Sequence, residues 1–247
     1  MRRAPGSALR SPRTAALAGA LAILVAVAGP AGAQVGHDPA RSPYRTLRYG
    51  QFMGLTGGYF NGDGGSLGAA PHRGATAGFR YDFLGAGTVS LGLSATWADL
   101  ERLIIDPSKP IARAVTGPVK QSAVLAEGIL QFNLTGGKTW HRISPFVSTG
   151  AGLVVVSQTP ADTSGFKFRT RIIITPGIGA RIFLSERLFL RLEARNTFWS
   201  VSYPESFRAA PSSDPTQPPV LTGSSGKEWS ATGWYTFGLS YAFHRPF

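Results

Sequence analysis

The sequence contains no cysteine, only 13 acidic residues against 25 basic ones, and a single long apolar run, at its N-terminus. Without cysteine, no disulfide can staple the fold in an oxidising compartment. Beyond residue 34 no stretch approaches the roughly 20 apolar residues of a transmembrane helix. Only helices and closed barrels satisfy their backbone polar groups inside lipid. The chain after residue 34 is therefore either soluble or a β-barrel.

Residues 1–33 predict a cleaved secretory signal peptide. A basic segment precedes the apolar stretch Ala15–Ala28, and the small residues of Ala31–Ala33 follow at the spacing of a signal-peptidase site. The basic residues are Arg2, Arg3, Arg10 and Arg13. We expect Gln34 to be the first mature residue, residues 34–44 to form an N-terminal periplasmic tail, and residues 45–247 to form one domain.

The charge balance does not indicate a nucleic-acid partner. The formal net charge is +12, but four of the 25 basic residues and none of the 13 acidic ones lie in the predicted signal peptide. The remainder, 21 basic against 13 acidic residues, carries +8. These basic residues are dispersed along the chain with no Lys/Arg run, which is not the pattern of a nucleic-acid surface.

Apolar and polar residues alternate with a period of two in eight segments, and a β-strand places such residues on opposite faces. The pattern predicts eight strands of a length that crosses a membrane when tilted. The predicted strands are 46–60, 75–83, 89–97, 121–134, 143–156, 166–184, 188–198 and 229–243.

The connections between these strands alternate between short and long. Strands two and three, four and five, and six and seven are joined by short turns, whereas segments such as 99–119 and 203–227 are long and polar or rich in proline. Short periplasmic turns and long outer loops are typical of outer-membrane barrels. Five tryptophans fall at or near strand ends, where interfacial girdles explain most of them; Trp234 has inward parity.

The last strand has one apolar, aromatic face and one face of small and polar residues. The apolar set is Tyr235, Phe237, Leu239, Tyr241, Phe243 and, at the end of the sequence, Phe247. This pattern resembles the C-terminal assembly signal of bacterial outer-membrane barrels.

A wider resemblance covers the whole mature chain, which is similar to the eight-stranded outer-membrane barrel family that includes the OmpA-type transmembrane domain. The local similarity is the glycine-rich strand Pro176–Arg181, the turn at Ser185 and the charged strand Arg191–Arg195. The resemblance implies an all-β, eight-stranded antiparallel up-and-down transmembrane β-barrel in the outer membrane, with both termini periplasmic. It also implies outer-membrane lipid, lipopolysaccharide and the barrel assembly machinery as partners.

The charged residues with inward parity are the chemically informative set. An eight-stranded barrel is just wide enough for its own side chains, and buried charges must be paired. The set is Arg80, Asp82, Glu127, Arg169, Arg171, Arg181, Arg191, Glu193 and Arg195. We expect a salt-bridge network that plugs the lumen and a structural or surface-interaction role. The alternative is a small channel or transporter for anionic or apolar solutes.

We expect no catalytic residues, no metal site and no cofactor. The histidines of the mature chain are His37, His72, His141 and His244, and none lies in a local serine-and-acid arrangement like that of lipid A-modifying barrel enzymes. Such an enzyme is a further alternative.

A soluble secreted barrel, such as a lipocalin-like binder, is the alternative for location. Its apolar face would point inwards and its charged face outwards, and alternation alone does not determine which face is inside. The loop alternation and the aromatic end at Phe247 favour the membrane.

Overall fold

The computed structural model describes residues 42–243, apart from residues 86, 161 and 224. The predicted signal peptide, most of the predicted tail and Phe247 lie outside these residues. Within them, eight long strands close an antiparallel barrel, which confirms the predicted fold. No helix in this part of the chain has the length and apolar character needed to cross a membrane.

Each barrel strand pairs with the next one along the chain, and the last pairs with the first, as in the register of Leu239 opposite Leu55. The barrel strands are β2 (Gln51–Gly62), β3 (Arg73–Leu84), β4 (Val89–Ile105), β5 (Val115–Asn133), β7 (Ile143–Val156), β8 (Arg171–Phe183), β9 (Leu188–Ser202) and β10 (Lys227–Phe243). Two short strands, β1 (Tyr44–Thr46) and β6 (Lys138–Trp140), pair with each other beside the barrel. The helix α1 (Ile111–Ala114) and the 3-10 helix Glu205–Arg208 lie between barrel strands.

The predicted alternation of connections is present. The segments 63–72, 106–114, 157–170 and 203–226 lie at one end of the barrel, here called the loop end. The segments 85–88, 134–142 and 184–187 lie at the other, here called the turn end. Tyr44, the last residue of the predicted N-terminal tail, pairs with Trp140.

Most of the segment predicted as a long loop at 99–119 is a strand pair, because β4 continues to Ile105 and β5 begins at Val115. Its outer face carries polar residues such as Asp99, whose carboxylate lies 3.2 Å from the ammonium of Lys120. Such residues suit an extension into water, and sequence alone does not separate that extension from a polar loop.

Two other predicted strands begin too early. The predicted sixth strand starts at residue 166, whereas β8 starts at Arg171, because Arg169 has a left-handed backbone (φ 56°) that interrupts an extended chain. The first predicted strand starts at residue 46, whereas β2 starts at Gln51. The preceding Tyr49 is buried.

Glycines let neighbouring strands and inward side chains approach closely. Gly152 in β7 lies opposite Glu127 of β5, and a methyl group on it would collide with the backbone carbonyl of Ala126. Gly128 in β5 is the opposite case, because a methyl group there would lie 3.9 Å from its nearest neighbour, the carbonyl oxygen of Ala151.

We expect Gly152→Ala to lower the free energy of unfolding by about 1–3 kcal/mol, because the methyl group forces β5 and β7 apart. Gly128→Ala is the matched control and should change it by less than about 0.5 kcal/mol. Urea titration of the protein refolded in phospholipid vesicles measures both. Equal losses in the two variants would contradict this interpretation.

Candidate functional site: the charged lumen

The charged residues of the lumen lie there because strand alternation places them on the inner face. Residues two apart in a strand share a face, so β3 and β9 each carry a run of inward charges. The lumen charges are Arg80, Asp82, Glu127, Arg181, Arg191, Glu193 and Arg195, each at most 6% exposed. At that burial every charge needs a partner.

The central ion cluster joins β3 to β9. The Arg80 guanidinium donates to Asp82 through Nε (2.9 Å) and to Glu193 through Nη1 (2.9 Å). Asp82 also accepts a hydrogen bond from Arg191. Asp82 therefore sits between two guanidinium groups, and its removal would leave both short of a counter-charge.

Gln131 connects this cluster to β5 and was missed as a site residue. Its side-chain carbonyl accepts hydrogen bonds from Arg80 (3.1 Å) and Arg191 (2.9 Å). Its amide nitrogen donates to Asn133, which in turn donates to Ser90. Gln131 has the same inward parity as Glu127, and this was the available signal in the sequence. An uncharged amide is, however, hard to distinguish from other side chains that only fill the lumen.

A second cluster lies nearer the loop end. Arg195 donates to both carboxylate oxygens of Glu127, at 3.3 and 3.1 Å. Glu127 also accepts from the hydroxyls of Thr175 (2.6 Å) and Ser94 (3.3 Å). The Arg195 guanidinium lies 3.9 Å from the ring centroid of Trp234, a cation–π contact. Trp234 fills the lumen, as its parity predicts.

Arg181 has a different environment. No carboxylate among the described residues forms an ion pair with it, and its Nε and Nη1 have no hydrogen-bond partner there. Three aromatic rings surround the guanidinium, those of Phe52 (4.9 Å), Phe146 (5.8 Å) and Phe189 (5.9 Å). Its Nη2 donates a hydrogen bond to the hydroxyl of Ser90 at 3.5 Å. Aromatic faces are therefore its main stabilising contacts.

The seven charges comprise four guanidinium groups and three carboxylates, so the lumen carries one excess positive charge. The carboxylates are engaged by arginines and hydroxyls: Glu193, for example, also accepts from Ser148 at 2.8 Å. Such an arrangement links six strands across the bore, β3, β4, β5, β7, β8 and β9. The clusters therefore connect the strands across the lumen.

The loop end is closed by a large apolar cluster. Inward strand residues such as Phe60, Leu100 and Trp199 pack there against side chains from the connecting segments. The segments contribute Ala69, Ala70, Phe166, Phe168, Phe207 and Val220. Phe166 and Phe168 have the apolar parity of the predicted sixth strand, and Trp199 is one of the tryptophans near predicted strand ends, so all three could have faced lipid. Instead they are buried here because the loops fold over the bore.

A buried ion pair that sequence analysis missed fastens the segment 157–170 to the barrel wall. Arg102 of β4 donates to Asp162 and lies 5.6 Å from the ring centroid of Phe166. Burial alone would raise the pKa of Asp162, but hydrogen bonds from Ser164 and Arg102 outweigh it and hold that pKa below its ordinary value. Arg102 has the inward parity of β4, but the predicted strand ended before it.

The turn end is closed by a smaller apolar cluster. Its buried members are Tyr49, Phe52, Leu84, Phe183, Phe189 and Ala242. Together with the loop-end cluster, it encloses the charged layer between two apolar layers.

Two of the predicted lumen residues are placed elsewhere. Arg169 is exposed in the segment before β8, so its assignment to the lumen is wrong; the reason is the same left-handed turn that shortens the strand. Arg171 is half-buried at the loop end of β8 and donates to the carbonyl of Phe168 at 2.9 Å. It takes no part in the ion clusters.

The predicted assembly residues of β10 lie on the outer face. Tyr235, Phe237, Leu239 and Tyr241 are exposed, and Phe243 is half-exposed where the strand ends. Their role in assembly stays a prediction.

Neither His72 nor His141 contacts a serine hydroxyl or a carboxylate among the described residues. A ring nitrogen of His72 hydrogen-bonds the carbonyl of Ala70 (2.9 Å), and the ring of His141 packs edge-on against Trp140. No group of three or more potential metal-ligating side chains occurs in residues 42–243 as described. His37 and His244 lie outside that range.

We expect Asp82→Asn to lower the free energy of unfolding by about 3–5 kcal/mol, because it leaves Arg80 and Arg191 short of a buried counter-charge. Arg181→Met is the matched variant: it removes the cation that has no carboxylate partner, and we expect it to be neutral or stabilising. Urea titration in phospholipid vesicles measures the free energy of unfolding of both variants. Similar losses in both variants would contradict the interpretation that pairing with carboxylates controls lumen stability.

No family model and no curated protein matches this sequence. Solved structures with a similar fold include the outer membrane protein OprG from Pseudomonas aeruginosa, at 14% identity and a TM-score of 0.49, covering 81% of this chain and 99% of that one. Neisserial surface protein A is similar at 12% identity and a TM-score of 0.48, covering 78% of this chain and 97% of that one. AlkL in lipid bilayers is similar at 14% identity and a TM-score of 0.43, covering 87% and 99%.

Proposed function

We propose that this protein is an integral outer-membrane β-barrel with a closed lumen and a structural or surface-interaction role. The observation that carries the proposal is the orientation of the two strand faces. Ion pairs fill the inside, and apolar side chains cover the outside. A soluble barrel needs the opposite arrangement, because water must solvate its exterior.

The outward apolar side chains form a belt around the barrel. Leu55 is 72% exposed, Leu93 66% and Phe237 66%, and exposed leucine, isoleucine, valine or phenylalanine occurs on the barrel strands from β2 to β10. Monomeric soluble proteins rarely expose a continuous apolar patch of more than a few hundred Å². The lipocalin-like alternative predicted these side chains inside the barrel, whereas they are exposed on its outer face, which supports the membrane location.

Aromatic residues border the belt at both ends. Trp97 and Trp229 are exposed towards the loop end, and Tyr44, Trp140 and Tyr241 are exposed at the turn end. Tryptophan and tyrosine favour the two membrane–water interfaces, because each combines an apolar ring with a polar group. The strands that run between these two aromatic borders are 12–19 residues long, which is enough to cross a membrane when they are tilted.

Three successive layers obstruct the lumen: the loop-end apolar cluster, the ion clusters and the turn-end apolar cluster. A channel would require the loops to leave the bore and the ion pairs to separate. These layers therefore favour the plugged interpretation over the anion channel.

The loop end offers an ordered surface for interactions. Glu228 of β10 accepts hydrogen bonds from the backbone nitrogen of Ser66 (2.8 Å) and from the hydroxyl of Tyr203. These two bonds join the long connections 63–72 and 203–226. Burial and the bond to Glu228 raise the pKa of Tyr203. Elsewhere, the backbone nitrogen of Ser213 donates to the carbonyl of Ser108 at 3.0 Å. Outer-membrane lipid and lipopolysaccharide are the partners that we propose for the barrel itself.

Cell fractionation tests the location. We expect the protein in the outer-membrane fraction, with a band that shifts in gel migration on boiling, because a closed barrel resists detergent until it is heated. Recovery in the soluble periplasmic fraction without a band shift would contradict the proposal.

Planar-bilayer recording tests the closed lumen. We expect no reproducible single-channel steps from the intact protein, because the two apolar layers and the ion clusters leave no continuous aqueous path. Reproducible steps that disappear in Arg191→Ala and Arg195→Ala would instead establish an anion pore lined by those arginines.

A further inference from the structure

We propose that the turn end binds the phosphate group of an anionic phospholipid, in a cleft between β1 and the β8–β9 turn. This inference rests on the proposed membrane location. It assigns a ligand to the end of the barrel opposite the loops, where the sequence analysis expected only short periplasmic connections.

The cleft has a volume of about 650 Å³. The charged residues that line it are Arg45, Arg48, Arg142 and Glu186. Three arginines against one glutamate give a net charge of +2, which favours an anion. Arginine is suited to phosphate because its planar guanidinium can form two parallel hydrogen bonds with phosphate oxygens.

The arginines are available to a ligand. The side chain of Arg45 forms no ion pair with any residue that the structure describes, and Arg142 donates one hydrogen bond, to the carbonyl of Leu184 at 3.4 Å. Arg48 lies 3.6 Å from Glu186, but both side chains are mostly exposed, so water weakens that pair.

The backbone of the turn that carries Arg142 gives an independent indication of function. His141 (φ 46°) and Arg142 (φ 67°) connect the paired residues Trp140 and Ile143, so both central residues of a two-residue hairpin turn are left-handed. Such turns strongly favour Asn-Gly, because other side chains strain the left-handed backbone. Strain of this kind concentrates at functional sites. Here the strained residue Arg142 faces the cationic cleft.

The surroundings favour a lipid over a soluble phosphate compound. Tyr44, which lines the cleft, is the cross-strand partner of Trp140, and both side chains are nearly half exposed. Arg187 is held nearby between the hydroxyls of Tyr49 (2.9 Å) and Tyr241 (3.1 Å). Paired aromatic and basic side chains are typical of the depth at which lipid phosphates lie.

The test measures retention of phosphatidylglycerol by the purified, full-length protein in phosphatidylcholine nanodiscs, read by mass spectrometry of the intact complex. We expect preferential retention of phosphatidylglycerol and about fivefold weaker binding in Arg142→Gly, since one basic residue near an anionic headgroup is lost. The same variant should melt at a higher temperature, because glycine relieves the left-handed turn. Weaker binding in a more stable protein cannot be attributed to misfolding.

Lys167→Gln is the matched control, since this exposed cation lies at the loop end, and it should leave retention unchanged. Equal retention of phosphatidylglycerol and phosphatidylcholine by the inserted protein would overturn the site alone. Displacement by inorganic phosphate or glycerophosphoglycerol at the same concentration as the lipid would assign the cleft to soluble phosphates and overturn the lipid assignment. Preferential binding of an acidic glycan would also overturn the lipid assignment. A protein that fails to insert and shows no band shift on boiling would overturn the proposed membrane function as well.

Discussion

The need to pair charges inside a narrow bore is the constraint on which the rest of this structure depends. Eight strands leave an interior that side chains fill, so an inward arginine cannot remain hydrated. Arg80, Arg191 and Arg195 are therefore tied to carboxylates contributed by three different strands. These ties fix the strands relative to one another across the barrel. They add connections that the hydrogen bonds between neighbouring strands cannot supply.

The apolar layers at both ends follow from the same constraint. Water that entered the bore would compete for the guanidinium and carboxylate groups and weaken each pair. At the loop end, Phe166 and Phe168 cover the ion clusters, and the Arg102–Asp162 pair fastens the segment that carries them. At the turn end, Phe52 and Phe189 cover Arg181 directly. The loops are thus part of the barrel's interior packing.

Sequence periodicity predicts the middle of each barrel strand, but it predicts much less of the structure at the two ends of the barrel. Arg80, Asp82, Glu127, Arg181, Arg191, Glu193 and Arg195 were all placed on one face by counting in twos. Arg169 was misplaced because counting cannot detect the left-handed residue at which a strand stops. Gln131 was missed because its importance comes from contacts with two arginines that are 51 and 60 residues away in sequence. Local patterns determine which face a residue occupies, whereas partners across the bore depend on barrel closure.

The lumen and the turn end of the barrel use arginine in opposite ways, and this difference argues for a division of roles. In the lumen, burial makes a guanidinium costly, so three arginines have carboxylate partners and Arg181 is surrounded by aromatic rings. At the turn end, Arg45 and Arg142 are exposed, neither forms an ion pair within residues 42–243 as described, and Arg142 occupies a strained turn. Glycine would adopt that left-handed backbone without strain, but the chain has arginine there. The lumen arginines therefore hold the strands together inside the barrel, whereas the turn-end arginines are suited to bind the lipid phosphate group proposed above.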